Sequence, residues 1–311
     1  SSFNKKILSK KINFFNKKKI KIIMNPYKKT ITSKQLKTFM NDSLLGILSG
    51  NEILNKETLK EAKNLRIISR CGVGFNNIDV NYLKRKNIKL SLTDDEHVIA
   101  TVELTLLHML ASLRKLAFNI NLKNFINWKR KKGFLLTKKK IGLIGLGKIG
   151  KKLAKILSQF NCKIFYYDLI KNKKFNFAKL NTILKSCDII SLHIPLTKKT
   201  TNLINLKNLK LLKKNAILLN LARGNIINEN DLYKFLKKRL DVMVSLDCFS
   251  QEPYKGKLLK LENITLTPHI GTFTHETRDQ MEEKALNLSL IHISEPTRRT
   301  PISYAVFCLK K

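Results

Sequence analysis

Three short stretches hold side chains suited to acid–base chemistry: "LARGN" with Arg223, "QEP" with Glu252 and "TPHIG" with His269. An arginine presents a planar fork of donors that can hold a carboxylate. A histidine titrates near neutrality and can take or give a proton, and a carboxylate beside it would orient the ring and favour its charged form. Alone, a histidine wedged in "TPHIG" reads first as a satisfied core residue. With Arg223 and Glu252 it makes an anion anchor, a base and an orienter for that base. This is the set that removing a hydroxyl proton during hydride transfer requires.

A fourth stretch, "KKKIGLIGLGKIGKK" (138–152), places Gly145, Gly147 and Gly150 after an apolar run and at the start of a helical period. Such glycines let the backbone approach a pyrophosphate at a helix N-terminus. Asp168 closes the next apolar run 18 residues after Gly150. There its carboxylate can accept hydrogen bonds from a ribose and repel a 2′-phosphate, which favours NAD over NADP.

Six apolar runs must position these groups: 140–145, 163–168, 188–195, 216–223, 242–247 and 264–269. Helical periods lie between them, for example Ile149, Leu153, Ile156, Leu157 and Phe160. Fully apolar strands alternating with helices predict a parallel sheet covered on both faces. In such a sheet ligands bind beyond the carboxyl ends of the strands. The residues predicted there are Gly145, Asp168, Pro195, Arg223, Asp247 and His269. Upstream, "IKIIM" (20–24), "LLGILSG" (44–50) and "LRIISRCGVGFNNID" (65–79) predict a smaller α/β unit, followed by a buried helix from Thr101 to about Leu116.

Composition narrows the function class. The chain has 311 residues, 43% of them hydrophobic and 8% aromatic, which is globular and long enough for two domains. No apolar run approaches 18 residues and no signal-peptide pattern opens the chain, so the expected location is the cytoplasm. Five cysteines (Cys71, Cys162, Cys187, Cys248, Cys308) are scattered and never in a metal-ligand spacing, so no metal is expected. The formal net charge is +39 and raises a nucleic-acid reading. Only 10 of the 61 basic residues are arginine, however, and the lysines are spread over every segment among Asn and Ile. Base readout favours arginine, so the charge reads as a compositional drift and no specific nucleic acid is expected as a partner.

From about Ile20 to Leu286 the chain resembles the D-isomer-specific 2-hydroxyacid dehydrogenases, most nearly their phosphoglycerate dehydrogenase-like branch. The resemblance is carried by "RIISRCGVGFNNID", "ATVELTLLHMLASLRKL", "IGLIGLGKIGKKLA", "DIISLHIPLTKKTTNLI", "ILLNLARGNIINENDL", "SLDCFSQEP" and "LTPHIG", in that order. It implies two Rossmann-like doubly wound domains, an NAD-binding one and a smaller flavodoxin-like one for substrate. It implies Arg223, Glu252 and His269 as the catalytic set. Lys148 and Ile149 would lie against the pyrophosphate, Ile194, Pro195, Leu221, Ala222, Arg223, His269 and Gly271 would line the cofactor, and Asp247 would meet the nicotinamide amide. The loop Arg70, Cys71, Gly72, Val73 and Gly74 would bind substrate together with Arg223 and His269, Arg70 facing an acidic group. The implied reaction passes a hydride between NAD and 3-phosphoglycerate or a similar small D-2-hydroxy acid, in a homodimer. A corepressor-like, NAD-responsive binding protein of the same superfamily is the alternative, and an intact Arg, Glu and His set favours the enzyme.

Two departures stand out. The loop "TDDEHV" (93–98) adds negative charge near an anionic substrate. Residues 288–311 contain no Asn, pair Arg298 with Arg299, and resemble a translated library adapter. The expected domains are therefore 1–115 for substrate, without the segment that returns to it from the C-terminus, 116–287 for NAD, and a non-native tail 288–311. The missing initiator Met suggests an incomplete N-terminus.

Overall fold

A computed structural model describes residues 20–27, 31–294 and 304–308, together with residues 7, 9, 13 and 17. Its contacts divide the chain into two units, one of residues 1–97 and 274–311, the other of 98–273.

The larger unit is a seven-stranded, all-parallel sheet of β5 (Lys140–Ile144), β6 (Lys163–Tyr167), β7 (Asn176–Phe177), β8 (Ile189–Leu192), β9 (Ile217–Asn220), β10 (Met243–Leu246) and β11 (Ile264–Leu266). Their spatial order is β11-β10-β9-β8-β5-β6-β7. The chain leaves β5 toward one edge through β6 and β7, then crosses over to β8 and winds to the other edge. The β5/β8 junction is thus the switch point, where a crevice opens beyond the strand ends. Strands β8, β9 and β10 are buried at every position, because helices cover both faces of the sheet. One cover is the helix His97–Leu113, whose Val102, Met109 and Leu113 pack with Ile141, Leu143 and Leu219. The strands are shorter than the apolar runs that predict them, so Pro195, Arg223, Asp247 and His269 stand in the loops beyond them.

The smaller unit is also all-parallel, in the order β1-β12-β2-β3-β4, with β1 Ile20–Met24, β2 Leu44–Ser49, β3 Ile67–Arg70, β4 Lys89–Leu92 and β12 Tyr304–Cys308. Counted from β12 this is the flavodoxin-type order in circular permutation: β2 is the central strand, and β12, from the far end of the chain, lies between it and the edge strand β1. The helix His275–Ser294 belongs here as well. Its Met281, Ala285, Leu286 and Leu290 bury against Leu45, Leu48, Ile67 and Cys71, and Ser289 Oγ meets Ser69 Oγ at 2.9 Å. Each large apolar side chain there contributes roughly 1.5–3 kcal/mol.

These contacts correct the expected division of the chain. The first boundary falls at 97/98 rather than 115/116, because the whole buried helix packs on the larger sheet. The second falls at 273/274 rather than 287/288, so a C-terminal return to the first unit is present. Within the expected tail, residues 295–303 and 309–311 lie outside the described residues.

At the end of β8, His193 meets Ser191 Oγ through Nε2 at 2.9 Å, and burial lowers its pKa from 6.5 to about 4. Its folded pKa is therefore depressed below its unfolded value. Its contribution is fully present above about pH 6.5 and is lost as pH falls toward 4. The ring keeps some solvent contact, so about 3 kcal/mol is the ceiling. Urea midpoints of the parent are expected to fall across this window, and those of His193→Gln to stay flatter; parallel curves would assign the acid sensitivity elsewhere.

Candidate active site

The glycine turn after β5 is built as its spacing predicts. Gly145 has φ +100°, and a Cβ there would run into the His193 carbonyl at the end of β8. Gly150 sits where a Cβ would strike the Gly145 carbonyl, so helix Lys148–Gln159 packs closely on the turn. Gly147 caps that helix, and a Cβ there would meet nothing within 4 Å. The open space in front of the first helical N–H groups fits a pyrophosphate. Lys148 is exposed beside it, while Ile149 turns inward against the core. Asp168 accepts from Leu146 N at 2.6 Å and from Ile170 N at 3.2 Å, so its carboxylate also braces the turn. Ile194 packs on the core next to Gly145, and the Pro195 carbonyl accepts from Thr200 Oγ1 at 2.7 Å.

Beyond β9, Asn220 folds back on its own turn. Its Oδ1 accepts from Ala222 N at 3.1 Å, and its Nδ2 donates to the Arg223 carbonyl at 2.8 Å. Leu221 is buried, and Arg223 Nη1 donates to the Ala222 carbonyl at 2.6 Å. The same carbonyl takes the Cys248 thiol at 3.5 Å, which ties this turn to the loop after β10. Gly224 is required at the junction, because a Cβ there would overlap the Phe249 backbone.

Asp247 is fully buried and acts as a clamp. Its Oδ1 accepts from Thr267 Oγ1 at 2.7 Å and Ile270 N at 2.8 Å, and its Oδ2 from Gly271 N at 2.9 Å. Behind it, His108 of the covering helix reaches Thr267 Oγ1 at 3.2 Å; burial lowers the His108 pKa, partly offset by Asp247. The clamp holds His269 at φ 53°, a left-handed conformation that costs a non-glycine residue about 1 kcal/mol or more. So held, His269 Nδ1 lies 2.8 and 2.9 Å from the two Glu252 oxygens, and Glu252 Oε1 also accepts from Phe249 N at 3.1 Å. The His269 pKa is pushed up to about 10, by Cys248 first and then Glu252, with burial opposing them. The imidazolium is the stable form at neutral pH, and Nε2 is the nitrogen left to carry a proton to a substrate.

In the other unit, Arg70 is buried and its donors turn inward: Nε to the Gly74 carbonyl at 3.0 Å, Nη1 to the Cys71 carbonyl at 3.1 Å and Nη2 to Asn51 Oδ1 at 2.7 Å. Gly72, at φ +140°, donates its N–H to Thr93 Oγ1 at 2.8 Å. Arg70 thus braces its own loop through the Cys71 and Gly74 carbonyls. The added charge of "TDDEHV" is answered within the same unit: Lys284 Nζ lies 3.4 Å from Asp94 and 2.9 Å from Glu96.

The family model for the D-isomer specific 2-hydroxyacid dehydrogenase NAD binding domain matches residues 106–271, which contain the glycine turn, the clamp and the His269–Glu252 pair. The chain belongs to the D-isomer specific 2-hydroxyacid dehydrogenases. It is 37% identical to a glyoxylate reductase of Thermococcus litoralis, over 74% of each chain. It is 35% identical to a hydroxypyruvate reductase of Thermotoga maritima, over 85% of this chain and 90% of that one. Among solved structures, a glyoxylate reductase from Paecilomyes thermophila aligns with TM-score 0.75 and 26% identity, over 85% of each chain. A protein from Thermus thermophilus aligns with TM-score 0.84 and 27% identity, over 91% of this chain and 93% of that one. As a member, this dehydrogenase is an NAD-dependent oxidoreductase with a Rossmann fold. No helix among its described residues is long and apolar enough to cross a membrane.

The sequence reading missed His108, Thr267 and Cys248. Thr267 was legible in "LTPHIG". His108 joins the site through a contact spanning 159 residues, and Cys248 through its contact with the Ala222 carbonyl, 26 residues away, and its place beside His269.

Proposed function

We propose that this dehydrogenase reduces a small, unphosphorylated 2-oxo acid of the glyoxylate or hydroxypyruvate kind to its D-2-hydroxy acid. The observation that carries the reading is the His269–Glu252 pair, whose raised pKa keeps a proton on the imidazole at neutral pH. NAD, when bound in reduced form at the Gly145–Gly150 turn, supplies the hydride for C2. Arg223 holds the carboxylate with its guanidinium fork. His269 gives its Nε2 proton to the former carbonyl oxygen and is left neutral, while Glu252 keeps the ring oriented. In the oxidative direction neutral His269 takes the hydroxyl proton back.

The names of the relatives support this choice over 3-phosphoglycerate. A D-3-phosphoglycerate dehydrogenase of Methanocaldococcus jannaschii is 36% identical, but the match spans 49% of that protein. A phosphate would need a second anion site, and the donors of Arg70 are turned onto its own loop and Asn51. The test is NADH oxidation with glyoxylate, hydroxypyruvate, pyruvate and phosphohydroxypyruvate in parallel. The highest kcat/KM is expected for one of the first two, and a clear preference for the phosphorylated acid would reverse the assignment.

The same reading includes a homodimer formed through the larger unit. Ile120, Leu122, Phe125, Ile126, Trp128 and Leu135 are 59–73% exposed on one stretch of chain, a concentration that favours a partner. Light scattering is expected to give a dimer for the parent and a monomer for Phe125→Glu/Trp128→Glu; a dimeric double variant would move the interface.

A further inference from the structure

The loop after β10 brings a third kind of side chain to the His269–Glu252 pair. Cys248, Glu252 and His269 each offer one ligand atom, and these atoms lie within 4.8 Å of one another. Their positions are independent of any ion: Asp247 clamps the loop of His269, Phe249 N holds Glu252, and the Cys248 thiol rests on the Ala222 carbonyl at 3.5 Å. Sulfur, imidazole nitrogen and carboxylate oxygen are the donors a zinc-class cation takes. In a tetrahedral zinc site such donors stand roughly 3.3–3.6 Å apart. The carboxylate and the imidazole stand 2.8 Å apart, closer than two donors on one ion, so closing the set takes shifts of about 1 Å among the three side chains. Three protein ligands leave the fourth position for water or a substrate carboxylate.

We propose that Cys248, Glu252 and His269 form a binding site for a zinc-class divalent cation, and that the bound cation inhibits the enzyme by taking the imidazole that serves the substrate. The spacing of 248, 252 and 269 along the chain matches no zinc pattern, so the site is visible only in three dimensions. Binding releases the thiol proton and breaks the weak bond to the Ala222 carbonyl. It also replaces the Nδ1 proton shared by His269 and Glu252; the Nε2 proton stays, but giving it up would leave an imidazolate on the cation, so the ring no longer serves as a donor. The inhibitory consequence rests on the proposed reductase reading; the binding itself does not.

The test separates the two by measuring binding without turnover. Cd2+ titrated into the full chain should produce a thiolate-to-cadmium absorption band in the ultraviolet, and Zn2+ added first should suppress it. Cys248→Val is expected to lose the band, or to shift its midpoint by at least about tenfold, and His269→Ala to weaken it similarly. NADH titration of each variant verifies that the larger unit is folded. The remaining cysteines provide the background, so a band of parental strength and midpoint in folded Cys248→Val overturns the site, as does a parent chain with no band. In the reductase assay, Zn2+ should inhibit the parent reversibly, with EDTA restoring the rate. Inhibition is expressed against each variant's own metal-free rate, and should need at least about tenfold more Zn2+ in Cys248→Val. A band with the expected variant dependence in a chain that reduces no 2-oxo acid would uphold the cation site and reject the reductase reading.

Discussion

Replacing His269 with alanine is expected to lower the turnover of a 2-oxo acid by about a thousandfold, the middle of the range for loss of a positioned general acid, while NADH affinity stays within a few-fold of the parent. The reasoning starts from the backbone. His269 sits at φ 53° because Asp247 accepts the N–H groups of the next two residues, Ile270 and Gly271. Alanine can be held there by the same bonds, so the loop should keep its path and only the imidazole is lost. The glycine turn lies at the other side of the switch point and depends on Gly145, Gly147 and Asp168, none of which touches His269 in the bonds that define it. Glu252→Gln should fall between parent and His269→Ala, since the amide can still accept from Nδ1 but no longer supplies charge. Steady-state kcat with glyoxylate or hydroxypyruvate, beside a fluorescence titration with NADH, checks both halves. A rate within tenfold of the parent would remove His269 from the proton step.

How much of this was legible in the sequence depended on the range of the interactions. The glycine turn was readable because its constraints are local: a positive φ at Gly145, a close approach at Gly150 and open space at Gly147 lie within six residues. The apolar strands were readable because a parallel sheet buried on both faces leaves little room for polar side chains. Their ends were not, since the runs continue as buried loops such as Leu221 and Cys248. The pairing of Glu252 with His269 was anticipated from chemistry. The bonds that Arg70 makes to the carbonyls of its own loop were not, because nothing local in the sequence marks them. The expected domain boundaries failed for a similar reason. Whether Met281, Leu286 and Leu290 cover one sheet or the other is decided by contacts some 200 residues away in sequence, and the apolar period of a helix does not name its partner.

The two directions of the reaction are expected to respond oppositely to pH, with breaks displaced far to the alkaline side. An unperturbed histidine would change charge near 6.5, but Cys248 and Glu252 raise His269 to about 10. Reduction uses the imidazolium as donor, so its kcat/KM should be flat through neutral pH and fall about tenfold per unit only above the raised pKa. Oxidation needs the neutral ring, which is scarce below that pKa, so its kcat/KM should climb about tenfold per unit from pH 7 toward 10, close to a thousandfold in all. Glu252→Gln withdraws a carboxylate that favours the charged ring, and both breaks should then move to lower pH together. Joint movement matters, because a break caused by the cofactor or by unfolding would not follow a substitution at residue 252. Initial rates measured in both directions across this range decide the matter. Breaks near 6.5 in the parent, or breaks that ignore Glu252→Gln, would mean that the His269–Glu252 pair does not set the protonation state on which the reaction turns.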